Sequence, residues 1–187
     1  MITSFLNDVS DLEDRLSEFC TASQTDQTVK DTVSEILHEI RKSGDTAMLE
    51  KTLKYDHAKL SQNEIKVTKN ELEEAKSKLT VLERESILEA IENVSLFHER
   101  SIPENWSTSN NHGAKVGEKF YPINRVGIYV PGGNVPLIST VIMTVTIANV
   151  AKVKEIAVVT PPDSEGKIAP QMLAALELLA VDEIYEV

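Results

Sequence analysis

Apolar positions between residues 29 and 98 recur at spacings of three and four. Val29, Val33, Ile36, Leu37 and Ile40 form one stripe, which predicts an amphipathic helix ending near Gly44. Asp45-Thr46-Ala47-Met48 then reads as a fresh start, with Asp45 as N-cap and Met48, Leu49 and Leu53 on one face. The same period predicts helices over 70–77 and 83–98, the latter turning Leu82, Ile87, Ile91, Val94 and Phe97 inward. Before them, Ile65 and Val67 alternate with polar neighbours, as in a short strand. The helical signal stops at Ser101-Ile102-Pro103. Residues 103–120 have no periodicity and concentrate Ser, Asn and Gly, which reads as a surface loop or a hinge.

Beyond the loop the pattern changes. Val126 to Val130 is a compact apolar run that predicts a buried strand. Leu137 to Val150 predicts a helix, Glu155 to Thr160 a strand stopped by Pro161-Pro162, Ile168 to Ala180 a helix, and Glu183 to Val187 a third strand. Strand–helix–strand–helix–strand with short connections is the grammar of a doubly wound parallel sheet, here with three strands and no second half to cover it. The first connection, Pro131-Gly132-Gly133-Asn134, falls where such sheets bind ligands, beyond the carboxyl end of a strand. Asn134 is a candidate N-cap, and Pro136 falls in the first helical turn. Glycines before a helix let backbone N–H groups approach an anion such as a pyrophosphate or carboxylate. A tight turn needing φ > 0 accounts for the glycines equally well. The chain has no G-x-G-x-x-G and no P-loop lysine after the glycines. Tyr129 suits either the core or a ligand contact.

Composition narrows the partners. The 187 residues are 41% hydrophobic and 26% charged, a globular balance, with a formal net charge of −11. No basic stripe is present to neutralise phosphates, which argues against nucleic acid. The acidity is concentrated in residues 1–120, with 15 Lys/Arg against 23 Asp/Glu, and reads as a solvated surface. The single cysteine, Cys20, rules out an internal disulfide and is expected to be a small buried apolar residue. The N-terminus lacks signal-peptide architecture, and the longest apolar stretch, 135–150, is too short to span a bilayer, so the expected setting is cytoplasmic, with no membrane partner.

The stretch RVGIYVPGGNVPLISTVIMTVTIANVAKVKEIAVVTPP, residues 125–162, resembles the histidinol dehydrogenase family. The shared signals are VG-x-YVPGG, a following PL, ST-V-x-M, a VA-x-V step and a strand ending in PP. Ser43-Gly44-Asp45-Thr46-Ala47 with Tyr55-Asp56, Phe97-His98 and Trp106 extend the resemblance over nearly the whole chain. Two positions depart from the family pattern: Ile147 stands where proline is usual, and Lys152 where glycine is usual.

The resemblance implies a zinc-dependent homodimer that oxidises L-histidinol through the aldehyde to L-histidine with two NAD. It also implies two Rossmann-like domains per subunit. On that basis residues 1–28 are an N-terminal helical segment. Residues 29–122 are the mostly helical N-terminal part of a first, incomplete Rossmann-like domain. Residues 123–187 are the first half of a second, NAD-side domain built as β-α-β-α-β. Tyr129 corresponds to an NAD-contacting position, with Gly132 and Gly133 in the adjoining turn. The Glu-His pair, the metal ligands and the next NAD-contacting step of the family all correspond to later parts of a subunit. None of His38, His57, His98 and His112 falls on a family catalytic position. The expectation is therefore the N-terminal portion of a histidinol dehydrogenase, inactive alone, with no catalytic or metal-binding residue of its own. The alternatives are a short nucleotide-binding or subunit-binding module, and a family member acting on another small alcohol.

Overall fold

The computed structural model describes residues 12–22, 26–132, 136–181 and 183–187. Two compact units divide between Ala47 and Met48. Helices α1 (Leu12–Ala22) and α2 (Gln27–Ser43) belong to the first, and α3 (Asp45–Tyr55) runs across the division.

Local chemistry sets the ends of α2. Asp26 Oδ1 accepts the Thr28 N–H at 2.9 Å, and Gly44, at φ 57°, donates its N–H to the Ile40 carbonyl. The predicted end near Gly44 is therefore correct. Asp45 lies in the first turn of α3 and is not its N-cap, because Gly44 already occupies the flanking position. The apolar stripe of α2 stays in contact with solvent: Val29, Val33 and Leu37 are each about half exposed, and the helix buries no residue. Cys20 on α1 is exposed too, against the expectation of a buried residue. It lies on a helix whose described side chains are all exposed.

The second unit has a three-stranded parallel sheet at its centre. Its strands β3 (Arg125–Tyr129), β4 (Glu155–Thr160) and β5 (Glu183–Glu186) stand in the order β3-β4-β5. Tyr129 pairs with Val159, and Val158 with Ile184. The short strand expected at Ile65 and Val67 is present as an antiparallel bridge on β5: Val67 N–H donates to Ile184 O and Glu186 N–H to Ile65 O. Because β3 is a sheet edge, it is half-buried rather than buried; only Val130, just after it, is fully enclosed.

Helices α6 (Ile138–Val150) and α7 (Pro170–Leu178) link the strands and pack against each other. Their outer surfaces are covered by α5 (Val81–Glu99) and α4 (Lys69–Ser77) respectively. The core between these layers holds Val130, Val141, Val145, Val158, Leu176 and Ile184, all essentially inaccessible. On α5 the inward face is Ile87, Ala90, Ile91 and Val94, one helical stripe; Leu82 and Phe97 fall off it and are more than 70% exposed. The opposite face of the sheet carries an ion-pair row. Arg125 Nη1 meets Glu155 at 2.6 Å and Arg125 Nη2 meets Glu183 at 2.6 Å, tying the starts of all three strands together.

The stretch 103–120 is not a plain loop. Strands β1 (Trp106–Ser109) and β2 (Lys115–Glu118) form an exposed antiparallel hairpin. Asn110 Oδ1 accepts the N–H groups of His112 and Ala114, which closes the turn, and Gly113 takes φ 81°.

Candidate functional site at the carboxyl ends of the strands

The carboxyl ends of β3 and β4 meet at a cavity of 270 Å³. Its walls include Pro131 and Gly132 after β3, Thr160 to Pro162 after β4, and Met172 on α7. Gly132 does not have a positive φ. Its lack of a side chain serves a close approach instead: a Cβ there would lie 2.6 Å from Pro161 Cγ. The two strand-end turns are packed face to face, and only glycine allows it. Gly133 and Asn134 lie outside the described residues.

Tyr129 ends β3 with 63% of its surface exposed, on the sheet face opposite the helices. Of the two readings open in the sequence, the core role is therefore excluded. Tyr129 and Gly132 thus flank the same strand end, one on the open sheet face and one in the cavity wall.

The helices that begin here are uncapped. Leu137 holds the N-cap position of α6 and Ala169 that of α7, neither with a side-chain hydrogen bond, and Pro170 opens α7. Pro136 precedes the cap of α6, so it does not sit in the first turn as expected. The positive ends of two helix dipoles are left without a hydrogen bond from the cap side chain, beside a cavity whose wall carries both the Asp163 carboxylate and the Lys167 ammonium.

The β4–α7 loop adds charge. Asp163 Oδ1 accepts the N–H groups of Glu165 and Lys167 at 2.9 and 3.0 Å, and this turn puts Lys167 in the cavity wall. Sequence reasoning missed Lys167 and the packing role of Pro161. The Asp-Ser-Glu-Gly-Lys turn is the sequence signal for the first, and the double proline by itself signals only a strand stop.

The four histidines are dispersed. His38 is in α2, His57 follows α3, His98 is in the last turn of α5, and His112 is in the hairpin turn. Among the described residues no three His, Cys, Asp or Glu side chains are grouped to hold a metal ion, and no helix is long and apolar enough to cross a membrane.

A parallel sheet lined by helices, with a glycine turn and two open helix ends at its carboxyl edge, defines an incomplete Rossmann-like unit. The histidinol dehydrogenase family model matches residues 20–187, and the chain belongs to that family. It is 39% identical over 155 residues to the histidinol dehydrogenase of Symbiobacterium thermophilum, covering 83% of this chain and 35% of the relative. It is 33% identical over 180 residues to histidinol dehydrogenase 2 of Nostoc sp., covering 95% and 42%. The crystal structure of histidinol dehydrogenase from Elizabethkingia anophelis superposes with a TM-score of 0.81 at 30% identity, over 88% of this chain and 37% of that one. The chain thus spans 35 to 42% of the length of these relatives and corresponds to the N-terminal portion of an oxidoreductase subunit.

Proposed function

We propose that this chain forms the NAD-side corner of a zinc-dependent histidinol dehydrogenase, a cytoplasmic homodimer that oxidises L-histidinol through the aldehyde to L-histidine. The observation that carries the proposal is the carboxyl edge of β3 and β4 in a chain of this family, where Tyr129 ends β3 on the open face and Gly132 lies in the wall of a cavity beside the starts of α6 and α7. NAD, when bound, supplies the hydride acceptor, used twice per histidinol. Tyr129 would offer an exposed ring at the end of β3 as a contact surface for the cofactor. Gly132, with Gly133, would keep the turn free of side chains so that backbone N–H groups approach the phosphates. Lys167 adds a cation at the same cavity. Zinc binding is assigned to the remaining length of the subunit, together with the acid–base pair. Residues 29–122 and 123–187 are assigned to the first and second Rossmann-like domains.

The test joins this chain to the remaining length its relatives carry and supplies L-histidinol and NAD. The expected result is NADH formation at two per histidinol consumed, with none from the 187 residues alone. Turnover of a different small alcohol, with histidinol left unchanged, would contradict the substrate assignment.

A further inference from the structure

A second cavity, of 580 Å³, opens between the start of α4, the bridge segment on β5 and the loop leading to α7. Glu186, the last residue of β5, lines it and is only 7% exposed, the one buried charged side chain among the described residues. The charges acting on its carboxyl are all acidic: Glu71 from α4, Asp163 from the β4–α7 loop and Glu64 from the short turn before β5's bridge partner. Burial first, and these three neighbours after it, push the carboxyl up to about 7.

Three lysines line the cavity, and none of them is among the charges that act on the Glu186 carboxyl. Lys78 pairs with Glu74 at 2.7 Å, and Lys66 lies over the Tyr185 ring at 5.8 Å. Lys167 is held by its backbone on the wall shared with the smaller cavity. Glu71 and Glu64 each commit an oxygen to a cap, accepting from Thr68 and Ser61 respectively. The Glu186 carboxylate has neither a donor nor a counter-ion among the described residues. Placing such a group beside three other carboxylates is costly while it is ionised, unless it takes up a proton or a cation completes it. The acidic side chains here do not form a metal-holding group, and Ala75, Ile168 and Leu173 give the cavity an apolar wall.

We propose that this cavity binds a small free alkylammonium ion, with Glu186 as counter-ion and the Ala75–Ile168–Leu173 wall receiving its carbon chain. An ammonium brings three donors to the unpartnered carboxylate and to the free oxygens of Glu71 and Glu64. The site adjoins the smaller cavity through Lys167 and Ile168, and its argument does not depend on the dehydrogenase reading.

The test is calorimetric titration of the full chain with butylammonium chloride at constant ionic strength, with sodium chloride as control. Saturable binding is expected, about tenfold tighter at pH 8 than at pH 6 because Glu186 must be ionised to serve as counter-ion. The variant Glu186→Gln is expected to melt cooperatively and to lose the saturable phase at both pH values. Equal affinity in Glu186→Gln, an equal response to sodium, or no saturation in the wild type up to about 100 mM would overturn the proposal. Should Glu186→Gln fail to fold, the wild-type pH dependence decides alone: a dissociation constant unchanged between pH 6 and 8 contradicts the role of Glu186.

Discussion

The outer helices and the inner helices of the second unit begin in opposite ways. On the outside, α4 and α5 each open on a complete capping box. Thr68 pairs reciprocally with Glu71, and Thr80 with Glu83. On the inside, α6 and α7 open on Leu137 and Ala169 with no side-chain cap. The inner pair is held by burial instead, since α7 alone buries Met172, Leu173, Ala174, Ala175 and Leu176. Local hydrogen bonding secures the helices that pack on the periphery. Tertiary packing secures those whose N-termini face the carboxyl edge of the sheet, so that edge remains open to a ligand.

The sharpest way to break this contrast is at the edge itself. Gly132→Val drives a side chain into Pro161 and is expected to destabilise the chain by about 1–3 kcal/mol, read as a lower denaturant midpoint. Adding Pro161→Gly should recover most of that loss, whereas simple additivity of the two variants would mean that the close contact does not set the requirement for glycine.

Next comes the capping. Thr80→Ala should cost about 1 kcal/mol, because the hydroxyl that accepts the Glu83 N–H is lost. The Glu83 carboxyl is held below its ordinary range, chiefly by the Thr80 N–H and then by the Thr80 hydroxyl. A depressed carboxyl stabilises the fold above its unfolded pKa and loses that contribution as pH falls through the folded value. The gap between wild type and Thr80→Ala should therefore narrow between about pH 5 and pH 2. A gap that stays constant over that range would remove Glu83 from the cap. In the opposite direction, Ala169→Asp adds the missing cap to α7 and should stabilise by about 0.5–1 kcal/mol while weakening anion binding at the edge. Unchanged NAD affinity in that variant would detach α7 from the cofactor corner.

The far ends of the inner helices offer smaller effects. Lys152 and Ala180 sit just past α6 and α7 at φ 61° and 56°. At each, the next residue reaches back across the helix end, Val153 N–H to Ala148 O and Val181 N–H to Leu176 O. Lys152→Gly should stabilise by about 0.5–1 kcal/mol in thermal melts, because glycine takes this conformation without a Cβ penalty. Least of all, Thr146→Val on α6 removes a buried hydroxyl that has no partner, and should leave stability equal or raised by a few tenths of a kcal/mol.

What the chain discloses by itself follows the same division. The inner elements are apolar runs bounded by Pro and Gly, so β4, α6 and α7 are legible to within a residue or two. The hairpin 106–118 is not, because WSTS and KVGE are exposed on both faces and lack the one-sided alternation that marks a half-buried strand. The starts of α4 and α5 are written in the chain as Thr-x-x-Glu, a signal that hydrophobic period alone does not carry. That period also misplaced Leu82 and Phe97, which are apolar but lie off the stripe of Ile87, Ala90, Ile91 and Val94 and stay exposed. At the proposed site, Tyr129 and Gly132 are singled out by the family pattern. Pro161 and Lys167 are not, because their roles depend on two turns about 30 residues apart in sequence meeting in space.

The most direct test of the cofactor corner is NAD binding to the complete subunit carrying Tyr129→Ala, measured beside the wild type and beside Tyr121→Ala, an exposed tyrosine just before β3. The account predicts that Tyr129→Ala weakens NAD at least about tenfold, the loss of one aromatic contact, while Tyr121→Ala leaves it unchanged. Equal NAD affinity in all three proteins would contradict the placement of the cofactor at the end of β3.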